Sequence, residues 1–302
     1  GAPSNGCGNN AGARVSAGSH HTCAALTNGS VRCWGRNDAG QLGDGTTASS
    51  TATVTSVAVS GITSAVQVSA GTSDAGTGYT CARLLDGTVR CWGSNSNGQL
   101  GDGTTMSRTT SVAVSGLTGV IQVDAGALFT CARLANGTAR CWGLNNRGQL
   151  GNGTTTQSTT PVTVSGLFTV VHLTAGYEHA CAVLADGTVR CWGRNDYGQL
   201  GDGTTTPRTT PVTVSGLTNV VQVAAGQFHT CALRANGTVS CWGRNDNGQL
   251  AVATTTTQST APLAVSGITT GAQVTVGDDF SCVRLSDGAV RCWGYNASGQ
   301  LG

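Results

Sequence analysis

The chain has 302 residues, 10% of them charged and 38% apolar, with a formal net charge of +2. That balance excludes a disordered acidic or basic tail, and near-neutrality excludes a nucleic-acid or anionic-membrane partner held by bulk charge. All 16 basic residues are Arg, which excludes lysine Schiff-base chemistry.

In chain order, residues 1–12 read as a flexible N-terminal segment. The start Gly1-Ala2-Pro3-Ser4-Asn5-Gly6 is expected to be a processed, mature end. Cys7 lies in this segment. Residues 13–302 read as one domain of six copies of a single repeat. The copies contain HTCAALTNGSVRCWG, YTCARLLDGTVRCWG, FTCARLANGTARCWG, HACAVLADGTVRCWG, HTCALRANGTVSCWG and FSCVRLSDGAVRCWG. Their first cysteines are Cys23, Cys81, Cys131, Cys181, Cys231 and Cys282, at steps of 58, 50, 50, 50 and 51 residues. The long step reflects an insertion at Thr72 to Gly78. The fifth copy breaks its glycine loop at Gln249-Leu250-Ala251-Val252-Ala253, and the sixth reaches Gly302 before a fourth strand.

Each copy predicts four short strands. One resembles Val221-Gln222-Val223-Ala224, two run through the cysteines, and the fourth resembles Pro211-Val212-Thr213-Val214-Ser215. No segment has a convincing 3.6-residue apolar period, so almost no helix is expected. Nor does any stretch approach the roughly 18 consecutive apolar residues of a membrane span. Four strands per repeat, meandering out and back, point to an all-β propeller rather than a β-solenoid.

The paired cysteines, Cys23 with Cys33, Cys81 with Cys91, Cys131 with Cys141, Cys181 with Cys191, Cys231 with Cys241 and Cys282 with Cys292, are ten residues apart across turns such as Thr27-Asn28-Gly29. A three-residue loop with Gly at positive φ places Leu26 opposite Ser30, Ala25 opposite Val31, Ala24 opposite Arg32 and Cys23 opposite Cys33. That pair is not hydrogen-bonded, with Cα atoms about 4.5 Å apart, within disulfide range. A two-residue Asn-Gly turn is the competing register and would put the cysteines on opposite faces. The spacing favours disulfides over zinc or buried thiols, since zinc knuckles are absent. Each short loop would contribute roughly 2–3 kcal/mol. Six of them predict a secreted protein, extracellular or at the cell surface. Cys7 has no partner left and is the candidate for a bond to another chain.

The phrase HTCALxxxGTVxCWGxNxxGQLGDGT resembles the repeat of the regulator of chromosome condensation family, in a bacterial-type, secreted variant with paired cysteines. The resemblance runs from about residue 14 to the C-terminus. It implies a propeller, commonly of seven blades, and leaves function open. Family members include a nuclear exchange factor for a small GTPase, a plant ultraviolet-B photoreceptor and a secreted bacterial β-lactamase inhibitor. Six copies and the missing last strand depart from the pattern and raise incomplete closure. Internal closure, with residues 13–17 beside the last copy, is the favoured outcome. Strand donation by a neighbouring molecule is the other.

Trp34, Trp92, Trp142, Trp192, Trp242 and Trp293 share one repeat position and read as packing between blades. Arg32, Arg90, Arg140, Arg190 and Arg291 share a face with them; each is expected to stack on an aromatic ring or pair with a turn acid, as Arg90 with Asp86. Asn37-Asp38-Ala39-Gly40 and its equivalents carry too few carboxylates for calcium, so no metal or other cofactor is expected. Asn28, Asn136 and Asn236 match glycosylation acceptors but lie on tight turns. Three histidines sit at or beside one repeat position, two residues before the first Cys, and no catalytic motif is present.

The expected function is a non-catalytic binding scaffold for a protein or glycan. The loops that vary among copies should crowd one rim, with Thr72, Ser73, Asp74, Tyr177, Glu178, Gln227, Phe228, Asp278, Asp279 and Phe280 as contacts. The alternative is a self-assembling filament or surface subunit using open strand edges and Cys7. An enzyme with a site built from rim loops is the lesser alternative.

Overall fold

The computed structural model describes residues 14–49, 55–71, 77–252 and 256–302. These form six sheets, each an antiparallel meander of consecutive strands. Blade 1 holds β1 (Arg14–Ala17), β2 (His21–Ala25), β3 (Val31–Gly35) and β4 (Val57–Ala58); blade 2 holds β5 (Ala65–Gly71), β6 (Tyr79–Leu84), β7 (Val89–Gly93) and β8 (Arg108–Ala113). Blade 3 holds β9 (Val120–Ala125), β10 (Phe129–Leu134), β11 (Ala139–Gly143) and β12 (Ser158–Thr163); blade 4 holds β13 (Val170–Ala175), β14 (His179–Leu184), β15 (Val189–Gly193) and β16 (Arg208–Thr213). Blade 5 holds β17 (Val220–Ala225), β18 (His229–Arg234), β19 (Val239–Arg244) and β20 (Gln258–Ala264); blade 6 has three strands, β21 (Gly271–Val276), β22 (Phe280–Leu285) and β23 (Val290–Gly294). The described residues contain no helix.

The hairpin carries the three-residue loop. Gly29 has φ +81°, Gly29 N–H donates to the Leu26 carbonyl, and Leu26 N–H donates to the Ser30 carbonyl. Cys23 therefore faces Cys33, and all six pairs are disulfides with Cα atoms 4.1 Å apart. The acceptor-like asparagines are occupied by the turn: Asn28 Oδ1 accepts from Ser30 N–H and Oγ–H.

Strand alternation gives every blade two unlike faces. The disulfide face of one blade packs on the tryptophan face of the next. Cys131, Cys141, Leu150, Val164 and Leu167 of blade 3 thus meet Leu173, Ala182 and Trp192 of blade 4 in one buried cluster. Four more clusters join the other successive blades. Trp92, Trp142, Trp192 and Trp242 are fully buried, and each Nε1–H donates at 2.9 Å to the carbonyl of Gln41, Gln99, Gln149 or Gln199 in the preceding blade. The glycine two residues after that Gln, at positive φ, clears room for the ring; a Cβ on Gly101 would lie 2.7 Å from Trp142 Nε1. In the fifth loop Ala251 takes this place at φ +50°, and Trp293 is only half-buried, although its Nε1–H still donates to Gln249 O.

Residues 14–17 form β1, the inner strand of blade 1, paired with β2, packed on β5 and lining the channel together with β21 of the last copy. One expectation is corrected. Arg32, Arg90 and Arg190 reach toward their own fourth strands, and Arg291 donates to the Gly267 carbonyl, rather than Arg90 pairing with Asp86. Arg90 donates to Ser111 Oγ and O, Arg32 to Ser56 O and Arg190 to Thr213 Oγ1, whereas Asp86 caps its own turn through Thr88. The third strand presents Arg beside its fourth-strand partner, so that contact is nearer than the turn.

Candidate functional site

The inner strands β1, β5, β9, β13, β17 and β21 surround a channel of about 610 Å³. Its wall is built from small residues at the ends of these strands, including Ala70, Ala125, Ala175 and Ala225. Inner strands of neighbouring blades are tied by side chains. Ser16, Ser69, Asp124 and Thr174 accept the N–H of Ala70, Ala125, Ala175 and Ala225 in the next blade, at 2.9, 2.9, 2.9 and 3.3 Å. Lower down, Gln67 exchanges two hydrogen bonds with the Val123 backbone, and Gln122 does the same with Leu173. This side-chain belt satisfies backbone groups that would otherwise face a dry interface.

Asp124 is the acidic member of the belt. Its second oxygen accepts from Ser69 Oγ at 3.1 Å. Burial in the wall pushes its carboxyl up to about 6, against the donors from Ala175, Ser69 and Thr174 that hold it down.

At one mouth, the loops joining inner to second strands meet. Tyr177 N–H donates to Gly226 O and Gln227 N–H to Asp278 O, each at 3.2 Å, so adjacent blades clasp at this rim. The Phe228 ring lies 6.1 Å from Tyr177 and 5.0 Å from Tyr197, both tilted. Arg194 sits 4.7 Å over Phe228; Arg244 lies 5.4 Å from Tyr197 and 5.7 Å from Phe228. Arg194 bridges Glu178 at 2.8 Å and Asp196 at 2.7 Å, and Arg244 pairs with Asp246 at 2.7 Å. Burial works against the Arg194 charge, but Asp196 and Glu178 outweigh it and raise its pKa; the bond to Asp246 raises that of Arg244. The rings and guanidiniums are half-buried and held before any partner arrives.

The structure thus places Tyr177, Glu178, Gln227, Phe228, Asp278 and Asp279 on one rim. Thr72, Ser73, Asp74 and Cys7 lie outside the described residues. Phe280 opens β22 at the position of Tyr79, Phe129, His179 and His229 and lines the channel together with Tyr177 and Asp278. Arg194, Tyr197 and Arg244 escaped the sequence reading. They come from the ends of the third strands and the loops after them, where the residue following Trp-Gly varies as Arg36, Ser94, Leu144, Arg194, Arg244 and Tyr295. That variation was the available signal.

The histidines serve the blades. Thr80, Thr230 and Ser281 donate their hydroxyl protons to the carbonyls of Gln41, Gln199 and Gln249. Nε2 of His21, His179 and His229, each 2.9 Å from one of these hydroxyls, must therefore carry the proton and donate. Burial drives their pKa values down to about 4, 3 and 4. Among the described residues no group of three His, Cys, Asp or Glu is placed to hold a metal ion.

A model of the RCC1-like domain matches residues 3–302. The fold is similar to yeast RCC1 (Prp20), whose crystal structure is a complex with Kap60, at 21% identity and TM-score 0.81 over 93% of this chain and 69% of that one. It is similar to human WBSCR16 at 23% identity and TM-score 0.83, over 95% and 77% of the two chains. The CRINKLY WD40 ectodomain of the Arabidopsis thaliana receptor kinase ACR4 gives 19% identity and TM-score 0.56, over 93% and 78%.

Proposed function

The chain belongs to the RCC1-like domain family, and from that premise we propose that it is a non-catalytic scaffold that binds a protein partner at the rim of blades 4 and 5. One observation carries this reading: Tyr177, Tyr197 and Phe228 form a half-buried aromatic group stacked with Arg194 and Arg244 and braced by Glu178, Asp196 and Asp246. Tyr, Phe and Arg are the residue types enriched at protein interfaces, and rigid, partly desolvated anchors dominate their energetics. The similar yeast RCC1 was crystallised with a protein, Kap60, which supports the mode of action and not the partner. A non-catalytic role agrees with the chemistry, because the buried histidines and the rim acids are already engaged in holding blades and guanidiniums. The six disulfides support an extracellular setting.

The test is cross-linked capture from native extracellular fluid, followed by titration with the purified partner. Tyr177→Ala with Phe228→Ala should weaken binding by about 2 kcal/mol or more. Equal affinity for the double variant would sink the location.

A second reading, self-association, is favoured by one feature: blade 6 exposes Val290 to 62%, whereas Val31, Val89, Val189 and Val239 at the same position are at most 1% exposed.

A further inference from the structure

The rim on blades 4, 5 and 6 carries five carboxylates against two guanidiniums: Glu178 and Asp196 pair with Arg194, Asp246 pairs with Arg244, and Asp279 accepts from the Gln249 amide beside Asp278, so the sector keeps an excess of negative charge. The whole chain has a net charge of +2, so this acidic sector runs against the overall balance. Inside the mouth the wall adds Asp124 and, among the described residues, contains no Arg, Lys or His. Asp124 stands two residues below the rim glycine Gly126, about 7 Å of strand, within reach of an Arg or Lys side chain entering from the rim. The surrounding wall of Ala and Gly leaves room for it.

The charge of Asp124 is not needed by the belt. Ser16, Ser69 and Thr174 accept the same backbone N–H in other blades without one. Its oxygens take only neutral donors, from Ala175, Ser69, Thr174 and Ala125, and burial still raises its carboxyl pKa against all of them. A cation beside it would offset that burial. Beside the mouth, Phe228 and Tyr197 already hold the cationic side chains of Arg194 and Arg244. Resting on the rim reading above, we propose that the partner presents a basic polypeptide segment to this mouth, with one Arg or Lys side chain passing into the channel to Asp124.

The probe is a fluorescein-labelled peptide, Gly-Arg-Gly-Arg-Gly-Arg-Gly, titrated into the full chain, with citrulline in place of Arg as its uncharged control. The Arg peptide is expected to bind at least about tenfold more tightly, with an affinity that falls as salt rises. Asp124→Ser, which keeps a belt acceptor, should weaken binding severalfold, as should Asp278→Asn with Asp279→Asn. Asp86→Asn with Asp186→Asn, equal in charge but at hairpin turns on the far side of the blades, should leave it unchanged. In the unmutated chain, carboxyl-labelled NMR should show the Asp124 titration moving below its free midpoint when the peptide binds, a readout independent of how the variants fold. Equal binding of the citrulline peptide, equal loss with the far-side pair, or an unmoved Asp124 titration would each overturn the proposal. A protein partner still captured at the rim under those outcomes would leave the rim reading intact.

Discussion

At the scale of single residues, the least expected finding is how the buried histidines are used. His21, His179 and His229 stay neutral, each donating Nε2–H to a hydroxyl of the next blade, and Nδ1 of His179 and His229 has no partner. Their folded pKa values lie near 4, 3 and 4, below the ordinary 6.5. The unfolded chain takes up protons as pH falls below 6.5 while the folded chain does not until about 4. Stability is therefore full above 6.5 and drains across that window, at about 1.4 kcal/mol per pH unit for each proton. Asp124 acts with the opposite sign: its folded pKa of about 6 exceeds the ordinary 3.8, so its contribution is full below 3.8 and is lost as pH rises through 6. His172, also buried and driven down to about 4, makes four histidines against one aspartate, and the net effect is acid lability. Phe already fills this repeat position at Phe129, so His229→Phe should keep the fold and make the denaturation midpoint fall less steeply between pH 6.5 and 4. An unchanged slope would show that His229 is not held neutral. The repeat position of these histidines could be read from sequence; their burial and tautomer could not, because the deciding hydroxyls lie in another blade more than 50 residues away.

At the scale of elements, the disulfide hairpin was legible in full. Turn chemistry at Gly29 fixes the register and strand alternation brings Cys23 opposite Cys33, so local residues suffice. The rim was legible by half. Loops that precede the second strand were expected there, and Tyr177 and Phe228 do meet. The partners that organise them, Arg194, Tyr197 and Arg244, belong to the ends of the third strands and the loops after them, and their approach depends on blade geometry that no local pattern encodes. Equal hairpins need not behave equally. Ten of the twelve paired cysteines are fully buried by a following blade, whereas Cys282 and Cys292 of blade 6 are only half-buried. Thiol–disulfide exchange needs access to sulfur. Under native conditions a small dithiol should reduce Cys282–Cys292 first, and peptide mapping after alkylation should find label there while the other five bonds stay closed. Each of those five should contribute about 3 kcal/mol by loop entropy. Simultaneous reduction of all six would mean that the blades open together and that burial protects none of them.

At the scale of the whole molecule, the six blades are one contact repeated. Each of five buried clusters joins a disulfide face to the tryptophan face that follows. Among the described residues no such cluster joins blade 6 to blade 1, although β1 and β21 line the same channel. Two unlike halves of that contact therefore remain. Blade 1 presents Trp34, half-buried where its equivalents in blades 2 to 5 are fully buried. Blade 6 presents Val290, Leu301 and the disulfide Cys282–Cys292, and Gly302 holds the place of the tryptophan-seating glycines with no atom near it. Beside them β23 carries an edge that no described strand covers. Exposed apolar surface next to an unpaired edge drives association unless a charge blunts it. A chain of these 302 residues should accordingly self-associate reversibly as its concentration rises, and sedimentation velocity should show the weight-average mass increasing. Val290→Lys puts a charge on the uncovered face without touching the five internal clusters, and should return the chain to monomer with its thermal stability unchanged. An unmutated chain that stays monomeric across a hundredfold range of concentration, roughly 3 kcal/mol of association free energy surveyed, would show that these faces do not seek each other.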